Sequence, residues 1–395
     1  MAKLINLKSF QEFFKSGSAG GIILIICVVL SLIIANSSFG DSFNSFLETK
    51  IGYQTPSVHL EYPIIQWIND GLMAIFFLLV GLEIKRELVE GELASIKKAT
   101  LPVFAALGGV IVPALIYTAF NKGSDYTEGW GIPMATDIAF ALAIITLLGK
   151  RVPASLKIFL AALAIVDDLM AILVIAVFYS STLHYVYLLY ASAIFGLLLL
   201  FNRLGIKSLV FYLLPSLLMW YFIHHSGIHA TIAGVLTAFT LPTTPDAKES
   251  PLEKLEHLLV KPVNFIIMPL FALANTNIKY EEGMLNGLIS PLGLGIALGL
   301  FIGKPIGITL FSWLAVKLKI SNRPSGANWK HILGVGMLGG IGFTMSIFIA
   351  ILSFADLSHI LSEAKFSILM GSVLSGIAGS LLLISISAKT KKHSS

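Results

Sequence analysis

Polar residues divide this chain into apolar runs of bilayer-crossing length, and that pattern restricts it to one broad class of fold. A helix needs roughly 20 apolar residues to cross about 30 Å of hydrocarbon. Twelve runs reach or approach that length: 18–35, 63–82, 100–120, 130–148, 154–179, 185–201, 208–224, 229–241, 257–275, 288–316, 331–354 and 364–387, of which the eighth is short. Hydrophobic residues make up 56% of the 395 and charged residues 12%, too few to coat water-soluble domains. The expectation is an all-α polytopic membrane protein of about twelve transmembrane helices, forming a single integral membrane domain over the whole chain.

A net charge of +5 could suggest nucleic acid, but the placement of the charges argues against that class. Lysine and arginine crowd alternate loops, as at Lys85, Arg86, Lys97 and Lys98, at Lys150, Arg151 and Lys157, and at Lys317, Lys319, Arg323 and Lys330. The opposite side carries only Lys50, Lys122, Lys279 and Lys365. By the positive-inside rule both termini are cytoplasmic. Lys3, Lys8 and Lys15 precede the first run with no small-residue cleavage site after it, so that run reads as retained rather than as a signal peptide. Cys27 is the only cysteine, which excludes an intrachain disulfide or thiolate cluster.

Two loops are longer than the rest, residues 36–62 outside and 242–256 inside, the latter with Pro242, Pro245 and Pro251. The first contains the alternating stretch Val58-His59-Leu60-Glu61-Tyr62, for which pattern alone favours an ordinary loop over a small hairpin.

Within the apolar run from Ile158 to Tyr179 the only charges are Asp167 and Asp168. Each ionised carboxylate near mid-membrane costs roughly 2.5 to 3.5 kcal/mol on an isolated helix, so such residues mark ion or proton sites by default. Adjacent helical residues point about 100° apart, so the pair serves two partners: one for a cation, the other for a different group. The obvious partner is Lys304, in Gly303-Lys304-Pro305-Ile306-Gly307, where small residues allow close helix approach. A salt bridge that only joins helices is the plainer alternative.

Two spans look interrupted. The fourth opens with Gly129, Gly131 and Pro133 and then places Thr136 and Asp137 in mid-span; the eleventh carries Gly334, Gly336, Gly339, Gly340 and Gly342, followed by Thr344. Broken segments in corresponding halves point to a transporter's binding site. Each is the middle of a three-span set, three to five and ten to twelve, and an odd number of spans makes such copies inverted. Hard cations favour carboxylate, carbonyl and hydroxyl oxygens, which suits Thr136 and Asp137. Asp137 also suits the role of neutralising half-helix N-termini.

Asp70, about 10 Å inside the outer end of span two, is either a helix-facing polar contact or part of an access path. Glu83, Lys85, Arg86, Glu87, Glu90 and Glu92 close that span, and Glu253, Lys254, Glu256 and His257 open the ninth. Such runs are usually solvated, the alternative being a pH-responsive cytoplasmic cluster. His224, His225 and His229 invite a zinc reading, but Gly227 interrupts the helix and no carboxylate is near in sequence, so His229 fits a proton-sensing or structural role better. Gly334, Gly336 and Gly339 match a dinucleotide fingerprint only literally, inside an apolar span with no strand before it.

Gly81-Leu-Glu-Ile-Lys-Arg-Glu-Leu88, Ala135-Thr-Asp-Ile-Ala-Phe-Ala-Leu142, Val166-Asp-Asp-Leu169, Gly227-Ile-His-Ala-Thr-Ile-Ala-Gly234, Gly303-Lys-Pro-Ile-Gly307 and Gly339-Gly-Ile-Gly-Phe-Thr344 together resemble the bacterial NhaA family of sodium/proton antiporters, over nearly the full length. The resemblance implies twelve helices with inverted repeats and with spans four and eleven crossing as broken helices near the ion site. It implies Asp168 as the main sodium-binding carboxylate, with Asp167 the partner of Lys304. Asp137 and Lys304 would balance the half-helix ends, with Thr136 beside the site. A pH-sensing cluster would fall on Glu83, Arg86, Glu87, Glu256 and His257, although Glu253 and Val260 stand where a basic residue and a histidine are expected. It further implies a homodimer in the bacterial inner membrane, bridged partly by an extracellular hairpin within 45–62, and transport of sodium, lithium and protons with no cofactor.

Burial favours a neutral carboxyl and a nearby lysine an ionised one, so such groups can exchange protons near physiological pH and sodium can compete for the same oxygens. An intramembrane aspartyl protease would need two aspartates on facing helices sharing a water, which neighbours on one helix do not supply, although Asp137 with Asp168 could. A sodium/solute symporter would need a roomier cavity with substrate-specific polar groups, and none stands out.

Overall fold

The computed structural model describes residues 7–56, 59–180, 182–243, 250–280, 284–355 and 357–392; Lys3, Val58, Pro245 and Lys248 lie outside them. In chain order the helices are α1 (Leu7–Ala35), α2 (Gly40–Glu48), α3 (Ile64–Val89), α4 (Ile96–Asn121), α5 (Ile138–Leu147), α6 (Ala154–Phe178) and α7 (Tyr185–Arg203). Then follow α8 (Val210–Ser226), α9 (Ile232–Thr240), α10 (Pro251–Asn275), α11 (Pro291–Lys317), α12 (Trp329–Gly339), α13 (Phe343–Ser353) and α14 (Ser358–Lys392). Each of the predicted runs is mostly helical, the fourth and eleventh being interrupted.

Among the described residues, eight helical stretches are long and apolar enough to cross a bilayer alone, and two bent pairs raise that to as many as 10. The expected twelve full crossings are therefore not all met by length: α8 has 17 residues and α9 only 9. One reason is local and one is tertiary. Gly227, at φ 88°, ends α8 in the left-handed conformation that glycine adopts without strain. At its other end α9 is closed by side chains on its last carbonyls, with Lys85 Nζ donating to Phe239 O at 2.7 Å and to Leu241 O at 2.5 Å, and Asn202 Nδ2 to Thr240 O at 2.7 Å.

The preference for an ordinary loop before α3 is corrected. Strands β1 (Lys50–Gln54) and β2 (His59–Pro63) pair antiparallel, with Tyr53 opposite Leu60. Gly52, opposite Glu61, has φ 135°, and a Cβ there would lie 1.8 Å from Leu60 O, so only glycine keeps this register. Trp67 Nε1 ties the hairpin to α3 by donating to Ile51 O at 3.0 Å.

Two compact units divide the chain. The first holds the described residues within 1–25, 95–171 and 280–395. Here α4 and α11 touch backbone to backbone: a Cβ on Gly108 would sit 2.2 Å from Gly307 O, and one on Gly307 2.0 Å from Gly108 O. The second unit holds the described residues within 26–94 and 172–279. Its core packs Leu78 and Leu82 with Tyr212, Met219, Ala238 and Leu255.

Candidate functional site

The first unit gathers Asp137, Thr136, Asp167, Asp168 and Lys304, all buried. The sequence breaks the fourth span as its glycines and proline imply. A 3-10 turn over Thr127–Met134 ends in extended backbone at Ala135–Asp137, and α5 starts at Ile138. The eleventh span breaks between α12 and α13, which meet at 48°.

The two breaks satisfy one another's backbone groups. Asp137 N–H donates to Ile341 O at 2.6 Å, Thr136 Oγ1 to Gly339 O at 2.7 Å, and Ser346 Oγ to Ile132 O at 2.7 Å. Unwound backbone inside a membrane persists only when paired in this way or facing water. At the crossing Gly342 lies close to the fourth-span break, where a Cβ would be 3.1 Å from Ala135 O, and Gly340 abuts α11, where a Cβ would be 2.3 Å from Leu300 O.

The Asp137 carboxylate caps both half-helices. Its Oδ1 accepts from Phe140 N–H at 3.1 Å at the start of α5, and its Oδ2 from Thr344 N–H at 3.1 Å at the start of α13; the Thr344 hydroxyl donates to the same oxygen. One negative charge thus meets two helix N-termini, each carrying roughly half a positive charge. With three hydrogen bonds committed to helix ends, Asp137 is poorly placed to share a water with another aspartate, which counts against the protease alternative. The Asp137 partner Thr344 was missed as a site residue from the sequence; a hydroxyl two residues after the last break glycine was the available signal.

Asp167 lies in the middle of α6, and its Oδ2 accepts from Lys304 Nζ at 2.6 Å, both side chains being 1% exposed. Asp167 Oδ1 is buried with no hydrogen-bond donor among the described residues. Asp168 is 2% exposed and acts electrostatically on the same ammonium. Lys304 directly follows a π-helical turn, Gly299–Gly303. Pro305 removes a backbone donor from the ladder here, and such widened turns recur at functional sites. The lysine stem runs past Gly109, where a Cβ would meet Lys304 Cδ at 3.6 Å. Next to it, Gly336 of α12 abuts Pro305, its notional Cβ 2.9 Å from Pro305 Cα.

In the second unit, Glu83, Arg86, Glu87 and Glu256 form a compact cluster. Arg86 reaches Glu256 Oε1 at 3.3 Å and Glu87 Oε1 at 3.4 Å, and Glu87 Oε2 accepts from Glu92 N–H at 2.8 Å. Glu83, Glu87 and Glu256 are buried, whereas His257 is exposed. Glu253, which departs from the expected basic residue, has a structural use: with Ser250 it forms the capping box that starts α10.

Asp70 lies in a π-helical turn, Trp67–Leu72, at the beginning of α3, with His229 Nε2 3.3 Å from its Oδ1 and His224 Nδ1 3.7 Å from its Oδ2. A carboxylate that is remote in sequence is therefore near the histidines in space. Even so, no group of three His, Cys, Asp or Glu able to hold a metal occurs among the described residues.

Comparison with known proteins adds sequence-wide similarity to this geometry. A family profile described as Na+/H+ antiporter 1 matches residues 11–383. Na(+)/H(+) antiporter NhaA 2 of Flavobacterium johnsoniae is 67% identical over 386 residues, 98% of this chain and 94% of the relative. Na(+)/H(+) antiporter NhaA of Flavobacterium psychrophilum is 54% identical over 370 residues, 94% of each chain. Na(+)/H(+) antiporter NhaA of Escherichia coli O139:H28 is 48% identical over 376 residues, 94% of this chain and 97% of the relative.

Proposed function

The chain belongs to the Na+/H+ antiporter 1 family, and from that premise we propose that it exports sodium from the cytoplasm in exchange for external protons, with Asp168 and Asp167 as the sodium-binding carboxylates and Lys304 as the alternating partner of Asp167. The observation that carries this reading is the buried Asp167–Lys304 pair with Asp168 next to it on α6. A buried ionised carboxylate needs a counter-charge, and a proton, an ammonium and a sodium ion each supply one. Because each neutralises the same charge, their binding to the site is competitive. Sodium arriving from the cytoplasm takes the Asp168 oxygens and competes with Lys304 for Asp167, which releases protons. After access switches to the outside, protons displace the sodium. Exchange of more than one proton per sodium makes the cycle electrogenic, and lithium, also a small hard cation, is carried as well.

Asp137 keeps the crossing of the half-helices charge-balanced, and Thr136 lies beside the ion. Spans three to five and ten to twelve form the ion-handling core as inverted repeats, a reading supported by their presence in one compact unit, apart from the end of the fifth beyond Ala171. Glu83, Arg86, Glu87, Glu256 and His257 sense cytoplasmic pH, with Asp70 and His229 acting at the other end of the same unit. The protein is a homodimer of the bacterial inner membrane with both termini cytoplasmic, and the β1–β2 hairpin contributes to the dimer contact. It acts without a cofactor.

The test is a sodium pulse to proteoliposomes containing the purified protein. Internal pH should change with no organic solute present, lithium should substitute, and Asp168→Asn should abolish the response. Undiminished flux in that variant would remove Asp168 from the site.

A further inference from the structure

Pro305 deprives one carbonyl of α11 of its helical donor. Across the π-turn Lys304 N–H donates to Gly299 O, five residues back, so the next carbonyl in this pattern, Leu300 O, falls to the N–H of residue 305. Proline has none. A carbonyl stripped of its donor inside a membrane span must be served from elsewhere in the protein, because hydrocarbon offers nothing.

Leu300 O points at the break of the eleventh span. The Cβ position of Gly340 lies 2.3 Å from Leu300 O and 2.8 Å from Ser375 Oγ of α14, with Met337 O 3.1 Å away. Ser375 is fully buried, and its hydroxyl has no hydrogen-bond partner among the described residues, although buried hydroxyls normally have one. Its neighbour Ser372 is accounted for, since its Oγ accepts from Phe343 N–H at 3.1 Å. The face of α14 that carries Ser375 meets Leu300 one turn earlier, where a Cβ on Gly371 would lie 3.3 Å from Leu300 Cδ1. One turn later it meets α12, where a Cβ on Gly379 would lie 3.1 Å from Met337 Cβ. Close packing explains the two glycines but not the hydroxyl between them.

We propose that Ser375 is a positioning residue of the ion site: its hydroxyl and Leu300 O share one buried water, which supplies the donor that Pro305 removed and holds the π-turn that aims Lys304 at Asp167. Two oxygens no more than 2.8 Å from a common point are close enough for one water, with hydrogen bonds of about 2.8 Å, to reach both. Buried waters characteristically serve such otherwise unsatisfied groups. Without the water, the nearest donor along the helix for Leu300 O is Lys304 N–H itself. Moving that amide from Gly299 O to Leu300 O draws the turn towards α geometry and pulls Lys304 off Asp167. The ammonium then competes less well with sodium for that carboxylate. This effect on transport rests on the antiport reading above; the water itself does not.

Two measurements on the full-length protein test this. In proteoliposomes, Ser375→Ala should lower the apparent KM for sodium by about threefold or more while the maximal flux stays within about twofold. A hydroxyl that merely fills space would not split KM from maximal rate in this direction. Pro305→Ala returns an N–H to residue 305 for Leu300 O, so in that background Ser375→Ala should leave KM where Pro305→Ala alone puts it. A KM that is unchanged or raised in Ser375→Ala, or an equal fall in the Pro305→Ala background, overturns the proposal. A high-resolution map of the wild-type protein reads the water without transport. Density should lie within hydrogen-bond distance of both Leu300 O and Ser375 Oγ, and a map without it overturns the proposal. Wild-type liposomes without sodium-driven flux would instead overturn the antiport reading, and the map would still decide whether Ser375 and Leu300 share a water.

Discussion

Replacing Lys304 by methionine isolates the energetics of the buried pair. Methionine keeps most of the apolar stem beside Gly109 and removes only the ammonium, leaving Asp167 with two oxygens that have lost their cation in a site 1% exposed. Removing one member of such a pair costs about 3–5 kcal/mol, because the remaining charge has neither water nor partner. At about 2 °C per kcal/mol, the low end of the scaling for larger domains, the unfolding midpoint in detergent should fall by roughly 6–10 °C. The informative comparison is the double variant Lys304→Met/Asp167→Leu. It removes both charges, and replacing a buried pair by apolar residues is often neutral or stabilising, so it should recover most of the lost midpoint while exchange stays impaired. The assay is fluorescence-monitored thermal unfolding of purified protein near neutral pH. A single variant within about 2 °C of wild type, or a double variant no more stable than the single, would refute the reasoning that Asp167 and Lys304 are a mutually compensating couple.

Thr344→Val removes the hydroxyl donor from Asp137 Oδ2 but keeps the Thr344 amide bond to it; a hydrogen bond to a charged group is worth about 1.5–3 kcal/mol, so thermal unfolding should occur measurably earlier, and an unchanged midpoint would argue against Asp137 as the shared cap. Gly108→Ala places a methyl 2.2 Å from Gly307 O and 2.7 Å from Phe311 Cγ, which forces α4 and α11 apart; overpacking of this kind costs about 1–3 kcal/mol, whereas Gly196→Ala, with nothing within 4 Å, should be neutral or slightly stabilising. Glu256→Gln removes the negative partner 3.3 Å from Arg86 and should shift the pH dependence of sodium-driven flux with little change in the maximal rate; a profile identical to wild type would count against the cluster as a sensor.

Much of the architecture is written in local sequence. Apolar length and the scarcity of charge require membrane helices, and Gly131, Pro133 and the glycines from Gly334 to Gly342 mark the two breaks, because these residue types weaken helices wherever they stand. Asp167, Asp168, Asp137 and Lys304 stand out because ionisable groups are costly in hydrocarbon. A period-2 stretch as short as His59–Tyr62 is different: it is compatible with loop or strand, and only pairing with Lys50–Gln54 and the Trp67 hydrogen bond resolved it. The shortness of α9 likewise depends on Lys85 and Asn202, whose side chains close its end from elsewhere in the chain.

By itself, then, the sequence determined that this chain lives in a membrane, where its helices break and which few charges must be satisfied inside. These follow from the chain's own composition and spacing. The choice of partners belonged to the tertiary structure. Residue spacing showed that Asp167 and Asp168 face different ways but left open which one meets Lys304, since that depends on how α11 is set against α4 by the Gly108–Gly307 contact and turned by the π-helical segment before Lys304. In the same way Thr344 and Asp137 are 207 positions apart and become a cap only because two broken helices cross. Contacts between distant segments carry no local signature, and they are what converts a list of buried charges into a site.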